Sequence, residues 1–203
     1  MDRRADHFTA PDEPETTWIG PAQYVSVRGE GPPGTEAFYT RKSLVETAAH
    51  ELRRIRSDPA WTPGDITEIA YWYDDVHGDI GIANFYSSVA LEYLHFRMLV
   101  QIPDEVTNDH LDIAWRNLPD AVRTAGIKPE LYRTPGRMVV QVMHHGPFAN
   151  EFDTLHRLGE FAARSHLERS GPHHELHLDP FSHGSSQEQL RTILRDPVTP
   201  VGL

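Results

Sequence analysis

The chain has 203 residues, no cysteine, 30 acidic against 19 basic side chains and a formal net charge of −11. That length suits one or two compact domains with a real core, and the lack of cysteine excludes disulfides, thiolate metal sites and thiol nucleophiles. The acidity argues against a general nucleic-acid binder, which grips phosphates with Lys and Arg, and suits a small neutral or cationic ligand. No run approaches the roughly 18 apolar residues of a membrane span. Residues 1–18 lack the apolar core of a signal peptide. The expected location is the cytoplasm.

Residues 1–17 are polar, with Asp12, Glu13 and Glu15, and read as a flexible leader rather than a core element. Tyr24 to Gly29 alternates apolar and polar like a half-buried strand, and Gly29 to Gly34 make a turn. A helix is predicted over 35–57, with Leu44, Val45, Ala48, Leu52 and Ile55 on one face. Trp61-Thr62-Pro63-Gly64 closes that unit. Ile66 to Tyr73 is rich in β-branched and aromatic types and reads as a strand. The stretch 83–100 is ambiguous, with a strand from Tyr93 to Gln101. A helix follows over 107–123, with Thr107 as its cap.

The second half repeats this grammar. Met138 to His144 reads as a strand, ended by Gly146-Pro147. A helix over 151–168 begins at Asn150 with Asp153 three residues on, and its expected buried stripe is Phe152, Leu155, Leu158, Phe161 and Ala162. Short strands fit Glu175–Leu178 and Leu190–Arg195. Gly31-Pro32 matches Gly146-Pro147, 115 positions later, a spacing too long for a solenoid. The expected fold is therefore α+β: two tandem strand–helix–strand–strand modules, at about 18–105 and 106–203, around one groove.

Of the thirteen histidines, three surround Glu175 in His173-His174-Glu175-Leu176-His177. The zincin motif needs His-Glu-x-x-His on a helix, and this run has one residue too few on a predicted strand. His174 and Glu175 then point to opposite faces. No metal and no cofactor are expected. Gly29-Glu30-Gly31 lacks the remaining parts of a nucleotide loop, and Ser185-Ser186 have no His and Asp in recognisable order.

The run Met138 to Phe148, then Gly171 to Pro180, then the closing Leu190 to Val198, resembles the GyrI-like small-molecule-binding family. That family shows a His-x-Gly-Pro-Tyr/Phe turn, a glutamate on the strand before Asp-Pro, and a final Thr-x-Ile/Leu-x-x-Pro-Val. The first half is similar to it through Tyr24 to Pro33, Glu68 to Asp75 and Val100 to Asp104. The chain departs from the pattern at His177, where many members carry Tyr, and at Tyr71, where long members have the first of two tryptophans.

The resemblance implies two modules in pseudo-twofold arrangement enclosing an aromatic cleft for amphipathic, often cationic compounds. It also implies a stand-alone member, since the chain shows no helix-turn-helix pattern. One such subfamily hydrolyses the cyclopropane ring of spirocyclopropane DNA alkylators of the yatakemycin type, which gives detoxification or self-resistance. On that reading Glu175 and Tyr71 are the candidate catalytic groups: a base toward water and a donor to the ligand carbonyl. Tyr39, Trp72, Phe96, Trp115, His145, Phe148 and His177 are the candidate ligand contacts. Non-catalytic sequestration of aromatic or cationic compounds is the alternative, and inhibition of DNA gyrase by an acidic surface is a third reading.

Overall fold

A computed structural model of the chain describes residues 6–57, 66–123 and 126–202. Trp61 to Gly64, the expected end of the first unit, lies outside them. The described residues form a mixed α+β fold, one large antiparallel sheet with four helices. The strands are β1 (Glu15–Ile19), β2 (Ala22–Glu30), β3 (Thr67–Trp72), β4 (His95–Ile102), β5 (Glu130–Thr134), β6 (Arg137–His145), β7 (Leu167–Arg169), β8 (His173–His177) and β9 (Arg191–Pro200). The helices are α1 (Glu36–Arg56), α2 (Asn108–Asn117), α3 (Asp120–Arg123) and α4 (Glu151–Arg164). The sheet runs β1-β6-β9-β8-β3-β4-β2-β5, and β7 pairs with β9.

Side-chain alternation gives the sheet two buried faces. On one, Val25, Val27, Ile69, Met98 and Val100 pack with the Leu44, Val45, Ala48 and Leu52 stripe of α1. Farther along the same face, Val140, Val142 and Leu194 pack with Leu155, Leu158 and Ala162 of α4. The Thr35 hydroxyl accepts the Phe38 backbone N–H at 3.2 Å and so opens α1. β2 differs from the half-buried expectation: from Ala22 to Val27 it is buried throughout, since Tyr24 packs with Leu99 and Tyr132 on the second face.

Two predicted helices are shorter than expected. The one placed over 107–123 breaks at Leu118, which is extended because Pro119 follows it. The one placed over 151–168 ends at Arg164; His166 then takes φ 55° and turns the chain into β7. Thr107 does close a capping box, with His110. Asn150 makes no side-chain cap bond to α4.

The polar start is not a loose leader from residue 6 onward. β1 pairs with β6 from Glu15↔Gln141 to Ile19↔Arg137. His7 is buried, the Pro11 carbonyl accepts the Met143 N–H at 2.8 Å, and the Thr9 carbonyl accepts Gln141 Nε2 at 3.1 Å. The cause lies beneath this segment. The second face of the sheet carries Glu68, Gln141, His174 and Arg195, all buried, and buried polar groups need partners. Residues 6–15 supply them to Glu68, Gln141 and Arg195, while His174 faces Glu68 and Arg137.

Candidate active site

Between α1 and α4, over the central strands β3 and β8, lies a cleft of about 300 Å³. Tyr71 enters it from β3, and Glu175 and His177 from β8. Strand register fixes this grouping: Tyr71 pairs with His173 and Ile69 with Glu175, so alternate residues of both strands share the helix-bearing face. Phe38 and Tyr39 of α1 line one side, and Phe148, Glu151 and Phe152 line the other. Loops add Tyr86, Leu91 and Phe181.

The walls are held by ring contacts. Phe148, His177 and Phe181 form a trio with centroids 4.5 to 5.4 Å apart. Tyr86 meets Tyr71 at 5.9 Å and Phe152 at 6.4 Å, both edge to face. Phe152, expected in the buried stripe of α4, is instead 49% exposed and belongs to the cleft wall.

Two local devices hold these walls. His144, the histidine of the His-x-Gly-Pro turn, lies 3.1 Å from the Pro147 carbonyl through Nε2 and 2.9 Å from the Thr154 hydroxyl through Nδ1. Burial pushes its pKa down, so the neutral ring donates from Nε2 and accepts at Nδ1. Gly146 turns the chain there with φ +100°, a value that favours glycine. In α4, Gly159 lets Ala83 approach: a β-carbon there would sit 2.7 Å from that of Ala83. This close approach docks the segment that carries Tyr86.

Glu175 is the electrostatic centre. It accepts the Tyr86 hydroxyl at 2.5 Å on Oε1, and His177 Nε2 lies 3.3 Å from Oε2. His173 reaches it at 3.7 Å from Nε2 while its Nδ1 lies 2.9 Å from Asp196. Burial alone would lower the His173 pKa, but two flanking carboxylates raise it to about 9. Burial likewise opposes ionisation of Glu175, yet its histidine partners hold it below the ordinary carboxylate range. The cleft therefore keeps a charged carboxylate among apolar rings.

Glu151 behaves in the opposite way. It is buried and lines the same cleft. Its carboxyl is pushed well above the usual range, first by burial and then by the charge of Glu175. As the first residue of α4 it also feels the helix dipole, which favours an anion by about 0.3–1 kcal/mol. That pull is small beside a burial cost on the order of several kcal/mol per ion.

Of the residues expected from sequence, the structure brings Glu175, Tyr71, Tyr39, Phe148 and His177 to the cleft. Four lie elsewhere. Trp72 alternates to the far face of β3 and stacks on His95 at 5.7 Å. Phe96 is buried behind the wall against Phe38 and Tyr71. Trp115 packs against the α1 core from α2. His145 points outward to Asp12 at 2.8 Å, because its neighbour His144 takes the inward position. Tyr86, Glu151 and Phe181 were missed. Tyr86 lies in the stretch left ambiguous, and an acidic residue in a first helical turn has the ordinary role of complementing the dipole.

No protein-family model matches the chain, and no curated protein matches it in sequence. Solved structures do match. An uncharacterized conserved protein from Listeria innocua is similar with TM-score 0.73 at 22% identity, over 96% of this chain and 96% of that one. A hydrolase from Listeria innocua gives TM-score 0.71 at 20% identity, over 97% of this chain and 96% of that one. The C-terminal domain of EcmrR gives 0.58 at 13%, over 93% and 98%. The fold is shared. At these identities the likeness is one of fold, and the chemistry has to be argued from the cleft.

Proposed function

We propose that the chain is a GyrI-like protein that hydrolyses the cyclopropane ring of spirocyclopropane DNA alkylators, in a cytoplasmic detoxification or self-resistance role and without contacting nucleic acid itself. The strand order β6-β9-β8 followed by β3-β4-β2 supports two tandem modules in pseudo-twofold arrangement, since each half places its third strand between its first and second. The observation that carries the reading is a buried, ionised Glu175 at the base of an aromatic-walled cleft.

A spirocyclopropane conjugated to a dienone is strained and electrophilic. Attack of water on the ring methylene forms a C–O bond and breaks the C–C bond. The electron pair enters the ring, which becomes aromatic, and the carbonyl oxygen becomes a phenol. The flat rings of Tyr39, Phe148 and Phe181 would hold such a planar ligand. Glu175 would take the proton of the attacking water. The Tyr71 hydroxyl would donate to the oxygen that gains charge. Burial pushes its pKa well up, so it keeps its proton at neutral pH.

Sequestration without chemistry is the second reading, and the negative charge of Glu175 beneath aromatic faces favours it for aromatic cations. Incubating excess spirocyclopropane alkylator with the protein separates the two. The hydrolase reading expects many equivalents of a ring-opened product heavier by one water; one equivalent bound and recovered intact overturns it.

A further inference from the structure

Two buried carboxyl groups line the cleft, Glu151 and Glu175, and their surroundings differ. Glu175 Oε1 accepts the Tyr86 hydroxyl, and both its oxygens face histidine nitrogens. Glu151 Oε1 is sealed from solvent and has no hydrogen-bond partner among the described residues. An orphaned carboxylate oxygen in that position is costly, and a second full charge beside Glu175 would add repulsion. A proton on Glu151 removes both costs.

We propose that Glu151 and Glu175 share a single proton across a carboxyl–carboxylate hydrogen bond, with Glu151 the acid and Glu175 the base of the cleft. The groups around the pair agree with that division. From β8, His173 and His177 face Glu175, and from β9, Asp196 faces His173 on its other side. From β3 and the loop after it, Tyr71 and Tyr86 face both carboxyls as neutral phenols. The carboxyl of Glu151 is raised first by burial and then by Glu175. No cation is among these causes, and the dipole of α4 is too weak to hold a second anion against burial and the charge of Glu175.

This assignment deepens the hydrolase reading and rests on it for its catalytic part; the shared proton itself rests on the cleft geometry. In the reaction, Glu175 takes a proton from the attacking water as the C–O bond forms. Glu151 delivers its proton toward the oxygen that receives the electron pair of the broken C–C bond. The proton on Glu175 then crosses the hydrogen bond to Glu151, and the pair is restored. Water has been added, and no proton is gained or lost by the protein.

Infrared spectroscopy tests the pair without any substrate. At pH 7 the wild-type protein should show the carbonyl stretch of a protonated carboxyl, and Glu151→Gln should lack it while keeping its circular dichroism. Glu175→Gln serves as the second variant: with its charged neighbour gone, the protonated carboxyl band should disappear at a lower pH than in wild type. No protonated carboxyl at pH 7, or a band indifferent to both substitutions, overturns the proposal. For turnover, Glu151→Gln should lower kcat by about 10²–10⁴-fold, the usual worth of a positioned acid, with KM little changed. A band present in a wild-type protein that never turns over would support the shared proton and defeat the hydrolase reading instead.

Discussion

Two buried glutamates sit on neighbouring strands of one sheet, one register step apart, and face opposite ways. Glu68 on β3 pairs with Leu176, and Glu175 on β8 pairs with Ile69. Each has two histidines close by. Around Glu68 they are His7 and His174, both at 3.0 Å, with the Tyr24 hydroxyl at 3.3 Å. Around Glu175 they are His173 and His177. The difference lies in what covers them. Glu68 is sealed by the N-terminal segment, whose His7 carbonyl also binds Arg195 at 2.8 Å. Glu175 opens onto a cleft with aromatic walls and a second carboxyl. The same residue set thus builds a structural ion cluster on one face and a candidate reactive centre on the other. Free space decides which.

Removing the sealed charge should produce the largest effect on stability. Burial opposes ionisation of Glu68, but His7 and His174 hold its pKa well below the usual range. Glu68→Ala would strand these partners and should cost about 3–5 kcal/mol in the denaturant midpoint analysis. A loss no larger than that of a surface substitution would contradict the assignment of Glu68 as a structural anchor.

The paired histidines give the next effect, with opposite signs on the two faces. Arg137 donates to His174 Nδ1 at 3.3 Å, which suits a neutral ring, and burial lowers its pKa to about 4. The unfolded chain then binds more protons between the folded value and an ordinary histidine pKa of about 6.5, so stability falls as pH drops through that window. His173, raised to about 9, binds its proton more tightly when folded, so its contribution falls as pH rises from about 6.5 toward that value. Each limb is worth on the order of 3 kcal/mol. Stability should therefore peak near about pH 6.5. His174→Gln should flatten the acid limb and His173→Gln the alkaline limb, as read from urea midpoints across pH.

Overpacking tests how the open face is assembled. Gly159→Ala places a methyl 2.7 Å from Ala83 and should push the Tyr86 segment outward. A cost of about 1–3 kcal/mol is expected, together with reduced ligand affinity. Smallest of all, His145→Ala removes an exposed contact to Asp12 and should change stability by no more than about 0.5 kcal/mol. Ligand affinity should be unmoved by it. A marked affinity loss would return His145 to the cleft.

The sequence made the main elements legible because α1 and α4 carry helical periodicity and β3 is rich in β-branched and aromatic types, whereas β4 falls largely in the ambiguous stretch 83–100. Strand alternation separates Glu175 from His174, and the resemblance to the GyrI-like pattern is what assigned Glu175 to the cleft side. Trp72, Phe96 and Trp115 were indistinguishable from cleft residues, since an aromatic pattern fits a core wall and a ligand wall equally. Residues 6–15 carry no periodic signal, as they bind the sheet largely through backbone carbonyls and His7. Tyr86 sits in a short irregular stretch that is positioned by a contact between Gly159 and Ala83, residues 76 positions apart. Long-range docking of that kind leaves no local trace.

The most direct test compares Glu175→Gln with wild type in multiple-turnover hydrolysis of a spirocyclopropane alkylator, followed by product mass. If Glu175 handles the attacking water, the variant should stay folded, bind the ligand within a few-fold of wild type and lose about 10²–10⁴-fold in kcat. Turnover at the wild-type rate in Glu175→Gln would contradict the account.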